Sequence, residues 1–256
     1  MFAGNSLIPI RDDNPTRSRS VVTLTLIAAN VLCFVLEPGR GVGDGCGLMA
    51  FLFKWGVVPR EIVTGHALTG HLPVIAGGRQ ACSGVLLQPK SPYLSLVTSM
   101  FLHGGFLHIA GNMLFLWIFG NNIEDTLGKA RFIVFYLLVG VIAGLAHVYA
   151  NAGSIVPTIG ASGAIAGLLG AYIVLFPRAR VTTLVPLFVF ISFVRIPAVA
   201  FLGIWFVFQL MTGQTQQAGG AGVAWMAHVG GFVAGMILII VFGGLQRRDR
   251  PPLLEA

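Results

Sequence analysis

Ser162 places a hydroxyl inside Gly160-Ala161-Ser162-Gly163, in a run otherwise apolar enough to lie in a bilayer. Two other apolar stretches carry polar side chains that such segments seldom hold: Ala227-His228-Val229-Gly230-Gly231 and His103 to Asn112. A serine becomes a nucleophile when a neighbouring base takes its proton, and histidine has the proton affinity for that near neutral pH. The usual third member is a carboxylate that orients the histidine. The nine acidic residues are Asp12, Asp13, Glu37, Asp44, Glu61, Glu124, Asp125, Asp249 and Glu255, all outside the outer half of the apolar runs. Hydrolysis here would therefore run on a Ser162–His228 dyad. Acyl transfer also needs donors aimed at the developing oxyanion. Asn112 offers an amide NH2 and His108 a ring N–H, and a helix starting near Ser162 adds a backbone N–H and the positive end of its dipole. A plainer reading competes for the glycines. Small residues four apart, Gly163 with Gly167 and Gly231 with Gly235, are what membrane helices use to pack closely.

The composition sets the surroundings of that chemistry. Of 256 residues, 55% are hydrophobic and only 10% charged, and the mean hydropathy is +0.84, which excludes an ordinary soluble domain. The net charge of +7 sits in short basic clusters between apolar runs, where it works as a topology signal, so no nucleic-acid partner is expected. No HExxH pattern or intramembrane carboxylate supports a metal, and no cofactor is expected. Cys33 lies in the first apolar run, whereas Cys46 and Cys82 both fall in the loop after it and allow one disulfide if that loop faces an oxidising compartment.

The elements that must position these groups follow from the apolar runs. Residues 1–19, with Arg11, Arg17, Arg19 and Asn14-Pro15, read as an exposed cytoplasmic tail, and 244–256 as a second. Spans are expected at about Ser20–Glu37, Phe106–Asn121, Phe132–Ala150, Thr158–Phe176, Pro197–Met211 and Gly222–Phe242, with a long outer loop over 38–98 structured by short interfacial helices. The expected fold is an all-α membrane protein: a six-span bundle over residues 20–243 with a long structured first loop. Orientation comes from the positive-inside rule, which puts Lys129 and Arg131, then Arg178 and Arg180, then Arg247, Arg248 and Arg250 in the cytoplasm. That requires Val181–Val194 to be an interfacial or re-entrant segment and not a seventh span. The fourth and last spans then enter from the same face, with Ser162 and His228 roughly 6 and 9 Å below it. His108 and Asn112, one turn apart, project from one face of the second span at a similar depth. Gly213 to Gly222 reads as a flexible outer connection, able to act as a lid while the preceding helix moves sideways.

His103-Gly104-Gly105-Phe106-Leu107-His108-Ile109-Ala110-Gly111-Asn112, Gly160-Ala161-Ser162-Gly163 and Ala227-His228-Val229-Gly230-Gly231-Phe232-Val233-Ala234-Gly235 resemble the three signature stretches of the rhomboid intramembrane serine proteases. The resemblance covers about residues 98 to 242, and Glu124 to Gly128 resembles the family's cytoplasmic E-x-x-x-G turn. It implies a rhomboid-like bundle in which Ser162 is the nucleophile, His228 the general base, and His108 and Asn112 the oxyanion donors. His103, Gly160, Gly163 and Gly231 would support them. It also implies transmembrane protein substrates, cut near the outer face at small side chains in locally unstable helix. Two departures stand out. Leu94-Ser95 replaces a Trp-Arg pair common in the family's first loop, and Ala166 stands where some members carry an aromatic that stacks on the histidine. Compact size favours a bacterial inner membrane, with both termini cytoplasmic. The alternatives are a non-catalytic rhomboid-like protein that binds membrane helices, or a small transporter relaying protons through its histidines.

Overall fold

The computed structural model describes residues 8–38, 46–76, 79–87, 89–187, 190–215 and 224–247. In chain order the elements are β1 (Ile8–Asp12), α1 (Val21–Leu36), α2 (Cys46–Trp55), α3 (Pro59–Thr64), β2 (Gly70–Ala76), β3 (Arg79–Leu87), α4 (Ser95–Thr98), α5 (Phe106–Phe115) and α6 (Asn121–Leu127). They continue with α7 (Lys129–Ala150), α8 (Ser162–Leu175), β4 (Arg180–Leu187), β5 (Phe190–Pro197), α9 (Ala198–Thr215), α10 (Trp225–Val241) and the short α11 (Gly244–Arg247). The chain is mostly helical. α5 and α6 are one continuous helix joined by a π-helical turn at Leu116–Gly120, the kind of irregularity often found at functional sites. That helix, Phe106–Leu127, and α7 are each 22 residues and apolar enough to cross a membrane, while α1, α8, α9 and α10 are shorter apolar helices.

Contacts at the helix ends fix the directions. The start of α1 meets α6, where the Val22 and Thr23 N–H groups donate to Glu124. Its far end delivers Glu37 to the backbone N–H of His103, just before α5. The end of α7 approaches α3 through Arg60 N–H donating to the Ser154 carbonyl. The lead-in to α8 pairs with the segment after α2 through the Val57–Thr158 bridge. α1, the continuous α5–α6 helix, α7 and α8 therefore alternate in direction, and the described part of the 46–98 segment covers the end where α5 and α8 begin. α8 starts at Ser162 and not at Thr158, because Thr158 is held in that bridge and Gly160 takes a φ of +122° that a helix does not allow.

At the opposite end lies a three-stranded antiparallel sheet in the order β1-β4-β5. It bears on two expectations. Val181–Val194, expected as an interfacial or re-entrant segment, is most of a β-hairpin, with Val181 paired to Ile196 and Leu184 to Phe193. The segment is rich in Val, Thr, Ile and Phe, residue types whose branched or flat side chains suit a pleated surface. The N-terminal residues likewise form β1 on the edge of β4, Ile8 opposite Leu184. Asp12 tethers β1 by accepting from the Tyr172 hydroxyl at 2.5 Å and from Asn122 at 2.8 Å, and burial pushes its carboxyl up from the ordinary range. The 46–98 segment holds α2, α3 and a β2–β3 hairpin around a buried pair, Lys90 with Glu61 at 2.7 Å. Burial draws the Lys90 ammonium down, opposed by Glu61. Cys46 is disulfide-bonded and Cys33 is free.

The Glu124 carboxylate carries much of this end. It is buried, yet it accepts from Val22 N–H at 2.9 Å and from both Thr23 N–H and Thr23 Oγ1 at 2.7 Å. α1 has no side-chain cap of its own, so a distant helix satisfies donors that every helix start leaves open. Glu124→Ala should lower the unfolding free energy in detergent micelles by about 3 kcal/mol. Exposed Lys129→Ala should stay within about 0.5 kcal/mol of the parent. Equal midpoints for the two variants would show that α1 is held some other way.

Candidate active site

α8 and α10 lie side by side and run in the same direction. A Cβ added at Gly231 would fall 2.2 Å from the Gly163 carbonyl oxygen, one at Gly235 would fall 1.9 Å from the Gly167 carbonyl oxygen, and one at Gly170 would fall 2.0 Å from the Phe232 carbonyl oxygen. Residue numbers rise together along the seam, which defines a parallel pair. The two helices touch backbone to backbone, as only glycines permit.

This approach brings the serine and the histidine together. Ser162 opens α8, half-buried, and its Oγ is 2.8 Å from His228 Nε2 on the first turn of α10. The ring of His228 is 1% exposed, and its Nδ1 lies 2.6 Å from Oε1 of Gln209 on α9. With the amide oxygen as acceptor, Nδ1 carries the proton and Nε2 is free to accept from the serine. Trp205, one turn before Gln209, sets its ring 6.0 Å from the imidazole. Ala166, where some members of the resembled family carry an aromatic, is buried, and α9 supplies an aromatic neighbour to the imidazole instead.

α5 completes the site. His108 Nδ1 accepts from the Gly104 N–H at 3.4 Å, which leaves Nε2 as the donor. A point one bond from the Gly160 Cα lies 2.8 Å from His108 Nε2 and 3.6 Å from Ser162 Oγ, so both side chains border the same space. Asn112, one turn on, is buried with its Nδ2 donor unpartnered. An unsatisfied buried donor is costly unless it serves a ligand. His103, in the segment just before α5, is 0% exposed and packs edge-on against His108 with ring centres 5.0 Å apart. Gly160, Gly163 and Gly231 act sterically, the first beneath His108 and the other two in the helix seam. In place of Trp-Arg, Leu94 is exposed and Ser95 is buried on the Pro92 carbonyl. Among the described residues no group of three or more His, Cys, Asp or Glu could hold a metal ion. The lid expected at Gly213–Gly222 falls largely on 216–223, outside the described residues. Gln209 is the site residue that sequence reasoning misses; a lone amide in the apolar run Pro197–Met211 is the available signal.

The sequence matches the rhomboid domain over residues 90–244, which is 155 of its 256 residues. The chain belongs to the rhomboid family. This rhomboid is 31% identical over 172 residues to "Rhomboid protein 1, mitochondrial" of Saccharomyces cerevisiae, covering 64% of this chain and 46% of that one. It is 30% identical over 174 residues to "Presenilin-associated rhomboid-like protein A, mitochondrial" of Danio rerio, covering 65% and 42%. A shorter match, 38% over 78 residues, is to "Putative rhomboid protease YdcA" of Bacillus subtilis, covering 30% and 39%. The matched stretch thus spans under half the length of each relative. The mitochondrial names of the relatives matched over about two thirds of this chain overturn the expected bacterial inner membrane. Compact size is a poor guide, because charge in the loops orients a bundle whichever membrane receives it.

Gly231→Val should destabilise this rhomboid by about 1–3 kcal/mol or more, since the new side chain meets a backbone carbonyl that cannot turn aside. Gly153→Ala, with nothing within 4 Å, serves as the control. Matching denaturation midpoints for the two variants would show that the seam is looser than described.

Proposed function

We propose that this rhomboid is an intramembrane serine endopeptidase that cleaves transmembrane segments of membrane proteins. The observation that carries the reading is the 2.8 Å contact between Ser162 Oγ and His228 Nε2 among otherwise apolar helices. In this mechanism His228 Nε2 takes the hydroxyl proton as Ser162 Oγ attacks the scissile carbonyl carbon. The oxyanion that forms is met by Asn112 Nδ2–H, His108 Nε2–H and the uncapped start of α8. The proton on His228 then passes to the leaving amine, and water hydrolyses the acyl-enzyme by the same route in reverse.

Six crossings are part of the proposal: α1, α5 with α6, α7, α8, α9 and α10, with the site near the face opposite the N-terminus. The disulfide at Cys46 supports placing the 46–98 segment on an oxidising side. The relatives' names favour a mitochondrial membrane. Single-span proteins whose helices unwind easily near that face are the proposed substrates.

Ser162→Ala and His228→Ala should each lower cleavage of a single-span reporter in proteoliposomes by at least about 10³-fold. A fluorophosphonate probe should label wild type and not Ser162→Ala. Reporter binding without turnover by wild type would favour a helix-binding role instead. Asn112→Ala should lower kcat by roughly 10²–10³-fold with reporter binding kept; an unchanged kcat would remove Asn112 from the oxyanion site.

A further inference from the structure

A histidine that serves as a base from Nε2 must keep its proton on Nδ1, and some acceptor must hold it there. Among the described residues the carboxylates are occupied elsewhere. Asp12, Asp13, Glu124 and Asp125 lie at the far end of the bundle, Glu37 accepts from the His103 backbone, and Glu61 pairs with Lys90. The acceptor that reaches His228 Nδ1 is the Gln209 amide oxygen at 2.6 Å, on a side chain only 8% exposed. Trp205 and Gln209 are four residues apart on α9, so one face of that helix presents both an acceptor and a ring to the imidazole.

We propose that Gln209 is the positioning residue of this site: it fixes the His228 tautomer and ring orientation in the place a carboxylate takes in a three-residue arrangement. The inference rests on the serine endopeptidase reading and adds a third, uncharged member to it. An amide accepts the Nδ1–H as a carboxylate does but adds no negative charge. In a bilayer this avoids burying an ion. The cost is weaker stabilisation of the imidazolium, which a carboxylate would favour. It also places the base under the control of α9, since any displacement of that helix withdraws both contacts from His228 together.

The test compares Gln209→Leu and Gln209→Glu with wild type in proteoliposomes, after both variants are shown to unfold at temperatures close to the parent. Gln209→Leu should lower kcat roughly 10²-fold with KM nearly unchanged. Gln209→Glu should restore most of kcat and move the acidic limb of the pH–kcat profile upward, because a carboxylate beside the ring raises the proton affinity of His228. The other titratable side chains bearing on that ring are His108 on α5 and His147 on α7, both unaltered in these variants. A Gln209→Leu protein as fast as wild type would overturn the assignment. So would equal losses in the leucine and glutamate variants with an unmoved pH limb, which is what a packing role predicts. Nitrogen-15 NMR of histidine-labelled Ser162→Ala protein reads the tautomer without turnover: Nδ1–H is expected with Gln209 in place, and a mixture of tautomers once Gln209→Leu is added. Nε2–H with Gln209 present would refute the proposal even if wild type proved inactive. An inactive wild type with the Nδ1–H tautomer would count against the endopeptidase reading alone.

Discussion

The backbone-to-backbone contact of α8 with α10 is the constraint on which the rest of this structure depends. A carbonyl resting against a glycine Cα leaves no slack for sliding or rotation, because the nearest atoms on both sides are fixed by helix geometry. In water, apolar burial would hold such helices together, but lipid tails offer the same apolar surroundings, so close van der Waals contact must supply the attraction. The consequence is positional. With Gly163 and Gly167 registered against Gly231 and Gly235, the first turns of two parallel helices come level, and Ser162 and His228 meet there. The small-residue pattern and the polar constellation are rival readings of one stretch of sequence, and the structure makes the first the support of the second.

The polar groups of this site solve a solvation problem. Asn112, His103, His228 and Gln209 are all buried, and none needs to carry a charge at rest. Neutral donors and acceptors can be satisfied by single directional bonds, whereas an isolated ion in the same place would cost several kcal/mol. The charged residues that are buried, Glu124 at one end and Glu37 and Glu61 with Lys90 at the other, lie outside the mid-depth of the bundle and have backbone or ionic partners.

Much of this is legible in the sequence for a physical reason. Polar side chains are scarce in apolar helices, so Ser162, His228, His108 and Asn112 stand out by type, and helix rise places them at one depth. The family is legible from the same residues. Three features are not. Apolarity alone starts α8 too early, since the bridge between Thr158 and Val57 joins residues a hundred positions apart. The β4–β5 hairpin has the apolarity and length of a membrane-associated helix, and only its β-branched content marks it as strand. Gln209 is hidden because pairing it with His228 depends on how α9 is rotated about its axis, and that rotation is set by the packing of Phe201, Trp205 and Phe206 against α5 and α10.

α10 has two unlike neighbours. Against α8 it presses main chain on main chain; against α9 it meets rings, Phe206 on Phe232 at 4.6 Å and Trp205 on His228 at 6.0 Å. Rings can tilt into other rotamers and re-stack at modest cost, while a carbonyl lodged at a Cα has nowhere to go. Sideways stress on the bundle is therefore relieved at the aromatic joint long before the glycine joint, which makes one flank of α10 yielding and the other rigid.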